Sequence, residues 1–196
     1  WYRSRGLGDV YKRQVQKLID LAHIRGTTRK IRGIVKKTPL QESLNYSQKY
    51  NSKIFFKRED LQDVKSFKIR GAYTKILSVE KTIAQNGLVC ASAGNHAQGF
   101  AVSCSLLDYN GIVFMPHSTP SLKVGLVKKF GGKNIKIKLV GENFSKAYKA
   151  AMDYCISNRK TFIHPFDDIK VIEGQATLFL EIIAVSYTHL SCRRSR

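Results

Sequence analysis

Along the chain the spacing of apolar positions changes several times, and each change predicts an element. From Val15 to Ile24, the positions Val15, Leu18, Ile19, Leu21 and Ala22 share one helical face, and Gly26, Thr27 and Thr28 then read as a linker. A second short helix is predicted ahead of Thr38-Pro39, and Ile54-Phe55-Phe56 is a short strand between polar residues. After Gly71, the apolar positions Ala72, Tyr73, Ile76, Leu77 and Val79 predict a helix that stops near Asn86-Gly87, where glycine suits a left-handed end.

Beyond residue 87 the pattern becomes regular. Apolar runs at 87–92, 110–116, 135–140 and 161–166 predict strands, and amphipathic stretches at 94–107, 119–132, 142–158 and from 171 to 183 predict helices between and after them. Thr119 and Pro120 are the expected N-cap and first residue of the second of these helices. Strand and helix alternating at this spacing predict an α/β fold with an open, doubly wound parallel sheet covered by helices on both faces.

The turn in "CASAGNHAQG" carries the first candidate chemistry, because an apolar strand runs through Ser92-Ala93-Gly94-Asn95-His96 directly into a helix. Open parallel sheets bind ligands outside their strand carboxyl ends, where free N–H groups and the helix dipole favour an anion. Ala93 and Gly94 let a ligand approach the backbone, and Ser92 and Asn95 add hydrogen-bonding side chains. The same residues equally suit a tight turn, with Asn95 as a local cap and His96 satisfied by a carbonyl. Neither a G-x-G-x-x-G fingerprint nor a phosphate-binding P-loop is present.

Lys68, in "SFKIRGA", is the second candidate among 22 lysines. An ordinary lysine stays protonated at neutral pH and becomes a nucleophile or base only when burial or a neighbouring cation lowers its pKa. Phe67 offers an apolar wall, Lys65 and Arg70 add positive potential, and Gly71-Ala72 leave room beside it. A solvated surface amine is the alternative.

Composition narrows the picture. With 196 residues and 43% hydrophobic content the chain can bury a sizeable core. No apolar run is long enough to span a membrane, and the N-terminus lacks secretory-signal features, so a soluble, cytoplasmic protein is expected. Cys90, Cys104, Cys155 and Cys192 show no paired spacing and read as small hydrophobes, leaving neither a disulfide framework nor a metal site. The net charge of +20 raises nucleic-acid binding as an alternative class, but lysines are scattered along the chain, and six of the 12 arginines lie in its first 14 and last four residues. His23, His117 and His189 stand alone, Glu59 and Asp60 are expected to pair with nearby lysines, and Asp167 and Asp168 to be solvated.

Taken together, "TPLQESLNYS", "IFFKREDLQDVKSFKIRGA", "ASAGNHAQGFA", "VFMPHSTPSLKVGLVKKFGG" and "TFIHPFDDIKVIEGQATLFLEI" resemble the pyridoxal-phosphate enzymes of the tryptophan-synthase-β fold, and among them biosynthetic threonine dehydratases. The resemblance implies pyridoxal 5'-phosphate as cofactor, an amino-acid substrate, and dehydration and hydrolytic deamination of L-threonine, or L-serine, the former giving 2-oxobutanoate and ammonia in isoleucine biosynthesis. By the same resemblance, Lys68 matches the lysine that carries the cofactor covalently, Phe67 lies beside it, and Asn95 bonds its ring 3-oxygen. Ser92, Ala93, Gly94, Asn95 and His96 match the loop that grips the substrate carboxylate. Serine racemases of this fold have a serine where this chain has Ala93, which favours elimination here.

The resemblance further implies a homo-oligomer with a small domain at 81–165 inserted into a large cofactor-binding domain, of which 15–80 and 166–184 are part. Residues 1–14 and 185–196 resemble translated sequencing-adapter sequence. The family's glycine-rich phosphate loop and the residue facing the pyridine nitrogen lie downstream of the helix at 171, and no counterpart follows here. A catalytically incompetent fragment is therefore a further alternative. Leu178, Leu180 and Ile183 are the apolar positions expected to be left uncovered.

Overall fold

The structure, a computed structural model, describes residues 19–191, with side chains to residue 185. It opens with α1 (Leu21–Lys30), capped by Asp20, whose carboxylate accepts the His23 N–H. The expected linker is helical: Gly26, Thr27 and Thr28 lie inside α1, and Thr28 Oγ1 donates to the Ile24 carbonyl in place of water. Residues 15–18 of the predicted helix, the extension at 1–14, and residues 192–196 of the one at 185–196 lie outside the described residues, while 185–191 continue the last helix.

The short helix predicted before Pro39 is absent; residues 31–37 form turns, and strand β1 (Leu40–Glu42) follows. It pairs antiparallel with β2 (Phe55–Lys57) around the short α2 (Leu44–Lys49), so that Gln41 faces Phe56. Next come α3 (Lys68–Ser78) and α4 (Lys81–Gln85), two helices where one was predicted, because Val79 is extended at the break. Gly87 then turns with φ of +107°, the left-handed stop its identity suggested.

A four-stranded parallel sheet forms the centre. It comprises β3 (Leu88–Ala91), β4 (Gly111–Met115), β5 (Ile135–Leu139) and β6 (Thr161–Phe162) in the order β5-β4-β3-β6. Helices α5 (Asn95–Leu107), α6 (Ser121–Gly131) and α7 (Phe144–Ser157) connect them. Alternation along β3 shows why its apolar run is unbroken. Leu88 and Cys90 pack with Phe100, Cys104, Val113, Met115 and Val127 on one face, and Val89 and Ala91 with Phe114, Ala151 and Cys155 on the other. Cys90, Cys104 and Cys155 are buried free thiols, as their apolar settings suggested.

Three boundaries move. Thr119 is not a cap: α6 begins at Ser121 after Pro120, and the buried Thr119 Oγ1 has no partner. The last predicted strand ends at Phe162, because His164-Pro165 turns away, and α8 (Ile169–Ser191) starts two residues earlier than expected. Asp168, expected to be solvated, starts that helix by accepting the N–H groups of Lys170 (2.8 Å) and Val171 (3.2 Å). On α8, Leu178, Leu180 and Ile183 are half-buried, while Ile172 and Phe179 are exposed. Among the described residues no helix is long and apolar enough to cross a membrane, and none group into a metal-binding cluster.

Helix α8 lies against α3 through two glycines. A methyl at Gly71 would meet the Gln175 amide nitrogen at 2.5 Å and the Val171 carbonyl at 2.8 Å, and one at Gly174 would run into the Arg70 carbonyl. The space beside Lys68 that Gly71 leaves is thus filled by α8.

Candidate active site

Lys68 is the first residue of α3, and its Ile69, Ala72, Tyr73 and Ile76 neighbours hold that helix by burying one face. Helix α5 crosses α3 at Gly99, where a methyl would lie 3.1 Å from the Lys68 backbone carbon and oxygen. This close approach brings the first turn of α5, and with it the 92–96 turn, to Lys68. Glycine at position 99 is a site determinant that sequence reading missed, though its place one turn into the helix was a usable signal.

The 92–96 turn leaves β3 at the carboxyl edge of the sheet, where the pattern located it. Ser92 Oγ accepts the Gly94 N–H (3.2 Å), so Ser92 shapes the turn itself. Gly94 occupies the cap position with no side-chain bond to the first turn of α5, and nothing lies within 4 Å of where its Cβ would be. Asn95 is exposed and is the first residue of α5, so the cap position falls to Gly94. Ala93 is half-buried. The result is an uncapped helix N-terminus with open space before it, a setting suited to an anion.

His96 is 3% exposed, and its Nε2 lies 3.3 Å from the Ile163 carbonyl, the carbonyl contact that the plain-turn reading anticipated. Burial pushes its pKa down to about 4, and the positive charge of Lys68 acts in the same direction. The imidazole is therefore neutral, Nε2–H is the donor, and the buried Nδ1 is a bare acceptor without a partner.

Lys68 Nζ donates to the Pro165 carbonyl at 2.9 Å and sits 5.4 Å from the centre of the Phe67 ring. Burial lowers its pKa. Of the neighbours expected to help, Phe67 is in place, but Arg70 points away into a carboxylate cluster, and desolvation supplies the shift. Phe67 beside the amine is exposed, as are Asn95 at the start of α5 and Phe166 next to Pro165. Clefts of about 330, 350 and 290 Å³ lie elsewhere, the first between α1, α3 and α8, and neither Lys68 nor the 92–96 turn lines any of them.

The acidic residues expected to pair with lysines pair with arginines. Glu59 Oε1 and Oε2 each accept from Arg70 at 2.8 Å, and Asp60 pairs with Arg58 at 2.8 Å. Gln175 was not singled out in the sequence, yet both polar atoms of its amide are buried against Gly71 without partners.

Comparison with known proteins places this geometry in a family. The chain is 48% identical over 166 residues to the L-threonine dehydratase biosynthetic IlvA of Bacillus subtilis (strain 168), covering 85% of this chain and 39% of that protein. The processed form of threonine deaminase isoform 2 from Solanum lycopersicum superposes with a TM-score of 0.77 at 32% identity, over 86% of this chain and 45% of that one. Maize serine racemase superposes with a TM-score of 0.78 at 29% identity, over 85% of this chain and 50% of that one. The chain thus spans about two fifths of the curated relative and up to half of these solved structures. Residues 31–191 match the family described as pyridoxal-phosphate dependent enzyme, and by that match, together with these relatives, the chain belongs to the pyridoxal-phosphate-dependent enzymes.

Proposed function

We propose that this chain carries the lysine-bearing part of a threonine dehydratase, which eliminates water from L-threonine and takes one water up again as ammonia leaves by hydrolysis, so that the net products are 2-oxobutanoate and ammonia. The observation that carries the reading is a half-buried amine of lowered pKa, Lys68, held beside an uncapped helix N-terminus. These residues fit pyridoxal phosphate and its amino-acid substrate: an amine whose burial eases loss of its proton suits an aldehyde, and free N–H groups suit a carboxylate. When bound, the cofactor supplies an electron sink for a carbanion at the substrate Cα.

The chain's own residues do the rest. Lys68 Nζ would hold the cofactor, and the same amine is the general base that would take the proton from the substrate Cα. The N–H groups of the 92–96 turn orient the substrate carboxylate, with the Ser92 hydroxyl bracing that turn. Asn95 keeps the ring oriented through its amide, and Phe67 shields one side of the amine from water. Ala93 presents a methyl that can neither donate nor accept a proton on the opposite face, which favours elimination over racemisation. A step in isoleucine biosynthesis follows from the product.

The test is reduction with borohydride after incubation with pyridoxal phosphate. We expect the label on the peptide containing Lys68 and visible absorption before reduction. No absorption, together with a label spread over surface lysines, overturns the reading.

A further inference from the structure

The segment between β6 and α8 has no role so far, yet α3 and α5 both bond to it. Ile163 N–H makes the last bond of the sheet edge, to the Val89 carbonyl at 2.8 Å. From there, the carbonyls of Ile163 and Pro165 are taken by His96 Nε2 (3.3 Å) and Lys68 Nζ (2.9 Å). Between them stands His164. Its Nδ1 lies 2.7 Å from the Asp167 N and 3.3 Å from the Phe166 N, and both N–H groups donate to it. Its ring meets Phe166 edge-on with centroids 4.7 Å apart and meets Phe162 and Tyr148 at 6.1 Å. At the far end Asp168 caps α8 with one oxygen and pairs with Lys75 of α3 at 2.7 Å with the other.

An acceptor for two N–H groups must be a bare nitrogen, so His164 is the neutral Nε2–H tautomer. The same nitrogen is thereby occupied and cannot serve as a base. What it does is close a reversal of four residues. Pro165 inside that reversal has a fixed φ and no N–H of its own, so the closure determines where its carbonyl points. That carbonyl is neutral. It holds the Lys68 amine by one hydrogen bond without stabilising the ammonium as a carboxylate would.

We propose that His164 is a positioning residue for Lys68: its bare Nδ1 closes the 164–167 turn, and the turn aims the Pro165 carbonyl at the amine beside the 92–96 loop. This deepens the reading of Lys68 given above and rests on it.

The test is trace acetylation of the full chain without cofactor, with Lys68 labelling read by peptide mass spectrometry against exposed Lys123. His164→Ala removes the acceptor and frees the amine, and Lys68 labelling should rise roughly threefold to tenfold, the range of one lost hydrogen bond. His164→Asn returns an acceptor at the same number of bonds from Cα and should restore labelling to within about twofold of the parent. Asp167→Pro deletes the donating N–H with the imidazole intact and should resemble His164→Ala; it also decides the question, with His164→Asn, where His164→Ala does not fold. Unchanged Lys68 labelling in folded His164→Ala or Asp167→Pro overturns the proposal, as does an equal rise in His164→Asn. Because no pyridoxal phosphate is present, the labelling reads the turn and its hydrogen bond to Lys68 separately from cofactor binding, and a failed borohydride label is distinguished from a failure of this proposal.

Discussion

Two cations on the first turn of α3, Lys68 and Arg70, stand two residues apart and meet opposite surroundings. Arg70 is 1% exposed, and its guanidinium donates to Glu59, Glu181, Thr177 and the Lys36 carbonyl, while Glu181 also takes Lys57. Every charge there has a partner of opposite sign. Lys68 has one neutral carbonyl. Nearby, the buried Ser66 hydroxyl, His96 Nδ1 and both polar atoms of Gln175 have no partner. A satisfied cluster ties elements together, in this case α3, α8 and the turn at Glu59. An unsatisfied buried polar atom contributes no such tie and costs about 1–3 kcal/mol.

Breaking the satisfied side should cost most. Arg70→Met leaves Glu59 buried without its cation, and we expect a loss of about 3–5 kcal/mol in urea unfolding. A loss below about 1 kcal/mol shows that the cluster does not hold the helices. Acid separates the two regions by pH window. His96 binds its proton less readily folded than unfolded, so stability is present above the ordinary histidine value and lost as pH falls from about 6.5 to 4, by roughly 3 kcal/mol. For Glu59, burial acts to raise the pKa but the bonds from Arg70 and Thr38 outweigh it and hold it low, so its contribution is lost only at lower pH. His96→Leu should remove the slope in the upper window alone; a slope that persists there assigns it to another group. The smallest effect belongs to Lys68. Lys68→Met should change stability by less than about 1 kcal/mol in either direction, because one neutral hydrogen bond is lost and a desolvated amine is relieved. A loss comparable to that of Arg70→Met would make Lys68 a structural residue.

Much of this was legible in the chain. The parallel sheet and its connecting helices followed from apolar runs of strand length separated by amphipathic stretches, because burial on both faces forces that composition. The 92–96 turn followed from small residues between an apolar strand and a helix. Of the β1–β2 pair, the strand expected at 54–56 is present as β2, but β1, three residues long, is too short for a period to register. The division of α3 from α4 was also hidden, since Val79 continues the apolar spacing of α3 and only its extended backbone breaks the helix.

For the site the limit lies in long-range contacts. The sequence by itself determined the α/β class, the positions of strand and helix beyond residue 87, and the two segments that carry candidate chemistry, because local spacing of apolar and small residues encodes all three. Only the tertiary structure decided which neighbours act on Lys68. Arg70, two positions away in sequence, turns to Glu59 and Glu181, while Pro165, 97 positions away, receives the amine. Gly99 and Gly174 read as ordinary helical glycines until another helix crosses them. A helix sends residues two apart to nearly opposite sides, and the packing of α5 and α8 then sets what each side meets.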